Sequence, residues 1–352
     1  MGTAGVLKPQ ARYGLDRVLE PSGVFPQPAW KLDPDPRISA AEILVDVECL
    51  NIDSASFRQL SEEAGGDAGR VAEAIARIVA ERGKLHNPVT GSGGMLVGRV
   101  REVGDAIPAE RGLAPGIRIA SLISLTLTPL RLERVDRVDM HHGQVDAAGT
   151  AVLFESSPLA MLPDDIPQRI ALAALDVAGA PSRTAAIVAP GDSVALIGGG
   201  GTSGLLSLHE ARKRAGSEGT VIVTDLSPEA LDDVRRTGLA DHVVAVDATD
   251  ALALHQGITG ACGEVDVAVN MVNVAGSELG TILATRETGT VLFFSMATSF
   301  TAAALGAEGL GRATTMVIGN GHMPDMGAVA LAVLRENPAI RAIFERRYGG
   351  AP

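Results

Sequence analysis

The chain is poor in the groups that cross-link a protein or give it a basic surface. Among 352 residues there are two cysteines, Cys49 and Cys262, far apart in sequence. That excludes a disulfide framework and any CxxC-type zinc site. Aromatic residues make up 3%, so the core must rest on Val, Leu, Ile and Ala. Basic residues are outnumbered, 30 against 42 acidic ones, for a net charge of −12. An acidic surface repels polyanions, so neither a nucleic acid nor an anionic membrane is expected as a partner. No apolar run approaches the roughly 20 residues that span a bilayer. The opening "MGTAGVLKPQARYG" lacks the apolar stretch of a secretory leader, and Val6 stands where a myristoylation signal wants Ser or Thr. A cytoplasmic protein with free thiols is the expectation.

What is plentiful is glycine, with 41 residues, and apolar side chains, at 46%. The length allows two domains. Residues 42–48, "EILVDVE", alternate apolar and charged, the period of a half-buried strand. Residues 67–82 put Val71, Ile75, Ile78 and Val79 on one helical face. "GGMLVGRVREVG" and "GIRIASLIS" read as further short strands divided by glycine turns. The first 150 residues are thus mainly β with one helical insertion. From about residue 165 the texture changes. A helix over 168–180 precedes the strands "DSVALIG", "TVIVTDL", "HVVAVD", "VDVAVNMV" and "GTVLFFSM", with "TTMVIGNG" as a sixth, and helices alternate with them. Strands alternating with helices predict an α/β fold with a parallel, doubly wound sheet.

The first of these strands runs into "GGGGTSG". Gly199, Gly201 and Gly204 match G-x-G-x-x-G between a strand and a helix, and Asp225 ends the next strand about 20 positions on. The pattern predicts a Rossmann dinucleotide site. Gly199 is expected to make the tight turn, Gly201 to let a pyrophosphate approach the backbone, and Gly204 to pack the helix on the sheet. The N–H groups of Thr202 and Ser203 lie at a helix N-terminus, which favours an anion. Asp225 is expected to accept from ribose hydroxyls and to repel a 2′-phosphate, favouring NAD over NADP. Leu226 follows it, and the residues beyond offer no arginine to hold such a phosphate. Gly198 and Gly200 have no separate expected role.

A mainly β region before a nucleotide fold, with a return after it, resembles the medium-chain dehydrogenase/reductase superfamily. "EILVDVECLNIDSASF", "GSGGMLVGRVREVG" and "APGDSVALIGGGG" carry that likeness. It implies a GroES-like catalytic domain over 1–157 and 322–352 and a Rossmann domain over 158–321. It also implies a homodimer through the last strand of the nucleotide sheet. The departures are informative. Asn51 and Ser92 stand where zinc-dependent members have a cysteine and a histidine, and the four-cysteine lobe is absent, so no metal is expected. "QPAWKLD", "LNIDSASFRQLSEEAGGD", "ERGKLHNPVTGSGGML" and "FESSPLAMLPDDIPQ" are more specific. They resemble the L-erythro-3,5-diaminohexanoate dehydrogenase family of bacterial lysine fermentation. That resemblance implies NAD-linked oxidative deamination of a small diamino acid to 5-amino-3-oxohexanoate and ammonia. Two rival readings are a zinc-free quinone or enoyl reductase and a nucleotide-sensing protein without catalysis.

Such a reaction needs a proton acceptor, because an ammonium has no lone pair with which to form C=N as hydride leaves. It also needs a cation for the substrate carboxylate and carboxylates for its ammonium groups. If "LNIDSAS" is the superfamily's active-site loop, Asp53 binds or deprotonates the reacting ammonium and Asn51 orients water or substrate. Asp53 could equally cap the following turn. Glu62 and Glu63 are candidates for the distal ammonium, or a solvated helix entry. His86 could relay protons or be a loop histidine. Lys84 could meet the carboxylate, but a surface position is the expectation. His141 and His142 read as a surface loop, Cys49 as a small packed residue, and Cys262 as a loop thiol without a partner. Val272, Asn273, Ser295 and Met296, at strand ends, are expected to line the coenzyme, mainly through backbone contacts, and Val272 and Met296 could equally be core residues.

Overall fold

The computed structural model describes residues 9–350 apart from 88–90, 92 and 320. The chain divides into two compact units, Met1–Asp165 with Pro352, and Ile166–Ala351. The first is built on a six-stranded antiparallel sheet. Its spatial order is Leu130–Asp139, Gln144–Phe154, Glu42–Asn51, Met95–Val103, Arg118–Ser121 and Leu159–Met161. Glu42–Asn51 is central and largely buried, which fits its β-branched and leucine content. It ends at Asn51, whose neighbours across the ladders are Met95 and Gln144.

Two helices follow that strand where one was expected. Ser54–Glu63 is capped by Asp53 and Ala68–Arg82 by Asp67, each accepting a backbone N–H in the first turn. The second helix buries Val71, Ile75, Val79 and Arg82 on one face. Val71, Ile75 and Val79 pack with Ile43, Leu50 and Leu96 of the sheet. Gly83 ends the helix with φ +62°, and a Cβ there would lie 2.0 Å from the Leu32 carbonyl oxygen. Only glycine combines that left-handed turn with that approach.

The second unit is a six-stranded parallel sheet. Its order is His242–Ala245, Thr220–Asp225, Ser193–Ile197, Val265–Asn270, Thr285–Phe293 and Thr315–Ile318. That is the 3-2-1-4-5-6 order of a doubly wound Rossmann sheet. All six expected strands are present. The helix expected over 168–180 is two helices, Gln168–Leu175 and Gly179–Ile187, bent by 50°. No single helix among the described residues is long and apolar enough to cross a membrane, and this bent pair is largely buried in the unit.

The expected return of residues 322–352 to the first domain is corrected by the structure. Met326–Glu336 and Pro338–Tyr348 belong to the second unit. They pack on Gln168–Leu175 and Thr202–Ala215, the first also on Gly179–Ile187 and the second on Pro228–Thr237. Buried Leu334, Ile340 and Phe344 drive that docking.

Candidate active site

The glycine turn opens the carboxyl end of the sheet at its centre. Strand Ser193–Ile197 leaves through Gly198, which has φ +73°. The N–H groups of Gly198 and Gly199 both donate to the Thr224 carbonyl, at 2.8 and 3.0 Å. The left-handed residue is therefore Gly198, and Gly199 serves packing instead. A Cβ on Gly199 would meet Val223 at 2.6 Å, and one on Gly204 would meet the Gly199 carbonyl oxygen at 2.3 Å. Gly204 thus seats helix Thr202–Ala215 directly on the turn. Gly200 also has a role: its N–H donates to Asp225 Oδ2 at 3.0 Å, and a Cβ would meet Ala230 at 2.5 Å.

Gly201 is different. A Cβ there would meet only the Gly198 oxygen, at 3.7 Å. The open space beside its backbone lies at the N-terminus of helix Thr202–Ala215, and no side chain caps that helix. The next helix, Pro228–Thr237, has Ser227 accepting from Ala230 N–H. Open backbone beside uncapped donors suits a diphosphate, so the residues present fit a dinucleotide. Asp225 ends its strand with Oδ1 accepting from Ser227 N–H at 3.0 Å. Leu226 beside it is exposed.

Two neighbouring strand ends complete this edge. Val272 is half-buried, Asn273 and Met296 are exposed, and Ser295 donates to Asn273 Oδ1 at 3.3 Å. Buried Asn270 shapes this loop. Its Nδ2 donates to Ser277 Oγ and Thr281 Oγ1 at 2.9 and 2.8 Å, and its Oδ1 accepts from Val272 N–H at 3.0 Å. The structure brings all the expected coenzyme positions to one end of one sheet.

Sequence reasoning missed the clasp on this turn. Arg347 Nη1 donates to the Gly200 carbonyl at 3.0 Å, and the Tyr348 and Thr202 hydroxyls are 2.5 Å apart. Arg346 and Arg347 also bind buried Asp233. Burial would raise the pKa of Asp233, but hydrogen bonds from Arg347 and Arg346 hold it below the usual carboxylate value.

In the first unit a cavity of about 240 Å³ opens beside the two helices. Trp30, Gln59, Glu63, Glu81, Arg82 and His86 supply its aromatic, polar and charged lining. Of the four expected catalytic residues, His86 and Glu63 line this cavity. His86 Nδ1 lies 3.2 Å from the Thr126 hydroxyl. Burial, then the charges of Arg82 and Lys84, push its pKa down to about 4, so the ring is neutral at physiological pH. Glu63 ends the first helix and accepts from Gln59 at 3.0 Å.

The other two are held outside it. Both Asp53 oxygens are engaged by Ser56, one by its N–H at 2.9 Å and one by its hydroxyl at 2.7 Å. Its geometry is that of the helix cap. Asn51 Oδ1 accepts from Gln144 at 3.2 Å.

Lys84 corrects the expectation of a surface residue. It is fully buried, with Nζ donating to the carbonyls of Pro26 and Gln27 at 2.8 and 3.2 Å. Burial, then Arg82, lowers its pKa to about 8. Arg82 was not singled out in the sequence, yet it falls on the stripe of Val71, Ile75 and Val79. Asn87 is buried, whereas Thr90 and Ser92 lie outside the described residues.

The remaining candidates have structural roles. His142 Nδ1 pairs with Asp139 at 3.0 Å in the turn before Gln144–Phe154. Glu62 lines a separate surface hollow with His141 and His142. Cys49 is buried, and burial pushes its thiol pKa up to about 12. Cys262 is the last residue of helix Ala251–Cys262, not a loop residue. Among the described residues no three His, Cys, Asp or Glu side chains are grouped to hold a metal ion.

A Rossmann sheet with an open glycine turn, in one chain with an antiparallel unit of this topology, is the fold of the medium-chain dehydrogenases/reductases. A solved mycobacterial quinone oxidoreductase shares this fold, with a TM-score of 0.54 at 18% identity over 89% of this chain and 83% of that one. Residues 16–163 match the family described as the L-erythro-3,5-diaminohexanoate dehydrogenase N-terminal domain. The L-erythro-3,5-diaminohexanoate dehydrogenase of Fusobacterium nucleatum is 47% identical, covering 97% of this chain and 100% of that relative. That of Acetoanaerobium sticklandii is 45% identical over 96% and 98%. The chain belongs to the L-erythro-3,5-diaminohexanoate dehydrogenase family.

Proposed function

We propose that this dehydrogenase oxidises L-erythro-3,5-diaminohexanoate to 5-amino-3-oxohexanoate with release of ammonia, using NAD. The carrying observation is the 47% identity over nearly the whole chain to a dehydrogenase named for that substrate. A bound nicotinamide dinucleotide would supply the hydride acceptor. Gly201, Thr202 and Ser203 would hold its diphosphate, and Asp225 its adenosine ribose. Asp225 with no arginine in the following turn supports NAD over NADP. Val272, Asn273 and Ser295 line the same sheet edge.

The first unit supplies the proton handling. The substrate ammonium must lose a proton before its C–H bond can give up hydride, and a later water must lose one to form the ketone. His86, neutral at physiological pH, accepts a proton on its ring nitrogen. Burial, and then the charges of Arg82 and Lys84, make it a weak base, and those charges also favour the free amine of a substrate in this cavity. Glu63 would meet an ammonium group. A homodimer through the edge strand Thr315–Ile318, where Ile318 is exposed, and a cytoplasmic place in lysine breakdown belong to the same reading.

The test is NADH formation and ammonia release from L-erythro-3,5-diaminohexanoate with NAD. Absence of both, with NAD(P)H-dependent reduction of a quinone or an enoyl substrate instead, would overturn the reading.

A further inference from the structure

The cavity of the first unit is lined by a buried cation with no carboxylate at ion-pair distance among the described residues. Arg82 is 8% exposed and lines the cavity. Its guanidinium centre lies 4.1 Å from the centroid of the Trp30 ring, and its Nε donates to the Trp30 carbonyl at 3.1 Å. One face and one donor are thereby fixed. Among the described residues no hydrogen bond engages Nη1 or Nη2, and no carboxylate lies within ion-pair distance. Lys84, two positions on, adds a second buried cation, and among the described residues its acceptors are the carbonyl oxygens of Pro26 and Gln27. Its charge and that of Arg82 both act on His86.

Buried charges are ordinarily paired, because an unpaired one forfeits its hydration without return. Two neighbouring buried cations with no ion-paired carboxylate among the described residues, only the charge of exposed Glu81 offsetting the burial of Arg82, therefore mark a place where an anionic group is favourable. The free edge of a guanidinium over an indole presents two parallel donors, which match a carboxylate. The lining also contains Glu63 and Glu81, both exposed. The wall is thus dipolar, with a buried cation and solvent-facing acids. It suits a small molecule with a carboxylate and separate ammonium groups.

We propose that Arg82, fixed on Trp30, anchors the substrate carboxylate, and that Glu63 and Glu81 face its ammonium groups. The identity of the ligand rests on the diamino-acid reading above; the anion site does not. Arg82 thereby becomes the specificity determinant for acids over their neutral analogues. The neighbouring cation Lys84 strengthens the same preference without touching the ligand.

Calorimetric titration of the whole protein, without coenzyme, with 3,5-diaminohexanoate and with its carboxamide tests this. A hydrogen-bonded charge pair lost on going from acid to amide is worth roughly a 10- to 100-fold weaker affinity. Arg82→Gln is expected to abolish that difference, with carboxamide affinity unchanged. Arg82→Lys, which keeps the charge and loses the fork, is expected to fall between. In turnover assays the R82Q defect is expected in KM for the acid. The wild-type comparison decides even if R82Q folds poorly: equal affinity for acid and amide overturns the proposal. So does an R82Q protein with an unchanged melting temperature that keeps the wild-type preference. A wild-type preference for the acid without NADH formation leaves the anion site standing and removes the reaction assignment.

Discussion

Replacing Gly201 by alanine separates coenzyme binding from folding. Gly201 has φ −74° and ψ 179°, a conformation open to any L-residue. Its new methyl would meet nothing nearer than the Gly198 oxygen at 3.7 Å. Alanine is a poorer N-cap than glycine by up to about 1 kcal/mol, but it lowers the entropy of the unfolded chain by about 0.4–1 kcal/mol. These terms nearly cancel, so the melting temperature should stay within about 3 °C of wild type. The methyl nevertheless fills the space a diphosphate must enter. Losing one hydrogen bond to a charged phosphate costs about 1.5–3 kcal/mol, which is a roughly 10- to 150-fold weaker Kd for NAD. Gly204→Ala is the contrast, since its Cβ would lie 2.3 Å from the Gly199 carbonyl oxygen. Backbone on both sides cannot give way cheaply. An overpacking cost of about 1–3 kcal/mol predicts a fall of roughly 3–10 °C with lost binding. Fluorescence titration and thermal melts of both variants check this. A G201A protein that melts like wild type and binds NAD like wild type would refute the assignment of the turn.

Asp225→Asn is expected to shift the ratio of NAD to NADP affinity toward NADP by at least about tenfold; an unchanged ratio in parallel titrations removes the ribose role from this carboxylate. Folded Lys84 loses its proton near pH 8 against 10.5 for an ordinary lysine. The unfolded chain then holds more protons between those values, so raising the pH across that window favours the folded state. Urea unfolding at pH 8 and pH 10 should show this gain in the wild type and its loss in Lys84→Met. Tyr348→Phe removes the hydroxyl partner of Thr202, and Kd for NAD is expected to rise about 3- to 10-fold with little change in melting temperature. Equilibrium dialysis with labelled NAD would show it.

The coenzyme edge was legible because its determinants are local. Strand, glycines, helix and Asp225 fall within some 30 residues, and each is set by short-range periodicity. Which glycine takes the left-handed turn was not legible, since Gly198 and Gly199 differ only in how Thr224 and Val223 meet them. Lys84 looked like a surface residue because "ERGKLHN" is polar. Its burial depends on Gly83 turning against Leu32 and on carbonyls at 26 and 27. Arg82 was within reach of pattern reading, one turn beyond Val79 on the buried stripe. The last two helices were misplaced because their partners lie more than a hundred residues away. No local signal says which of two domains an amphipathic helix covers.

The contact between Arg347 and Gly200 spans 147 residues of chain. At a synthesis rate of roughly 5–20 residues per second, the glycine turn leaves the ribosome about 7–30 s before the helix that fastens it. The first three strands of the nucleotide sheet are translated well ahead of that helix, so the sheet can assemble while its coenzyme edge still lacks Arg347 and Tyr348. Competence to grip a dinucleotide is therefore acquired only once that helix has been made, and a nascent chain gains it later than it gains those first strands.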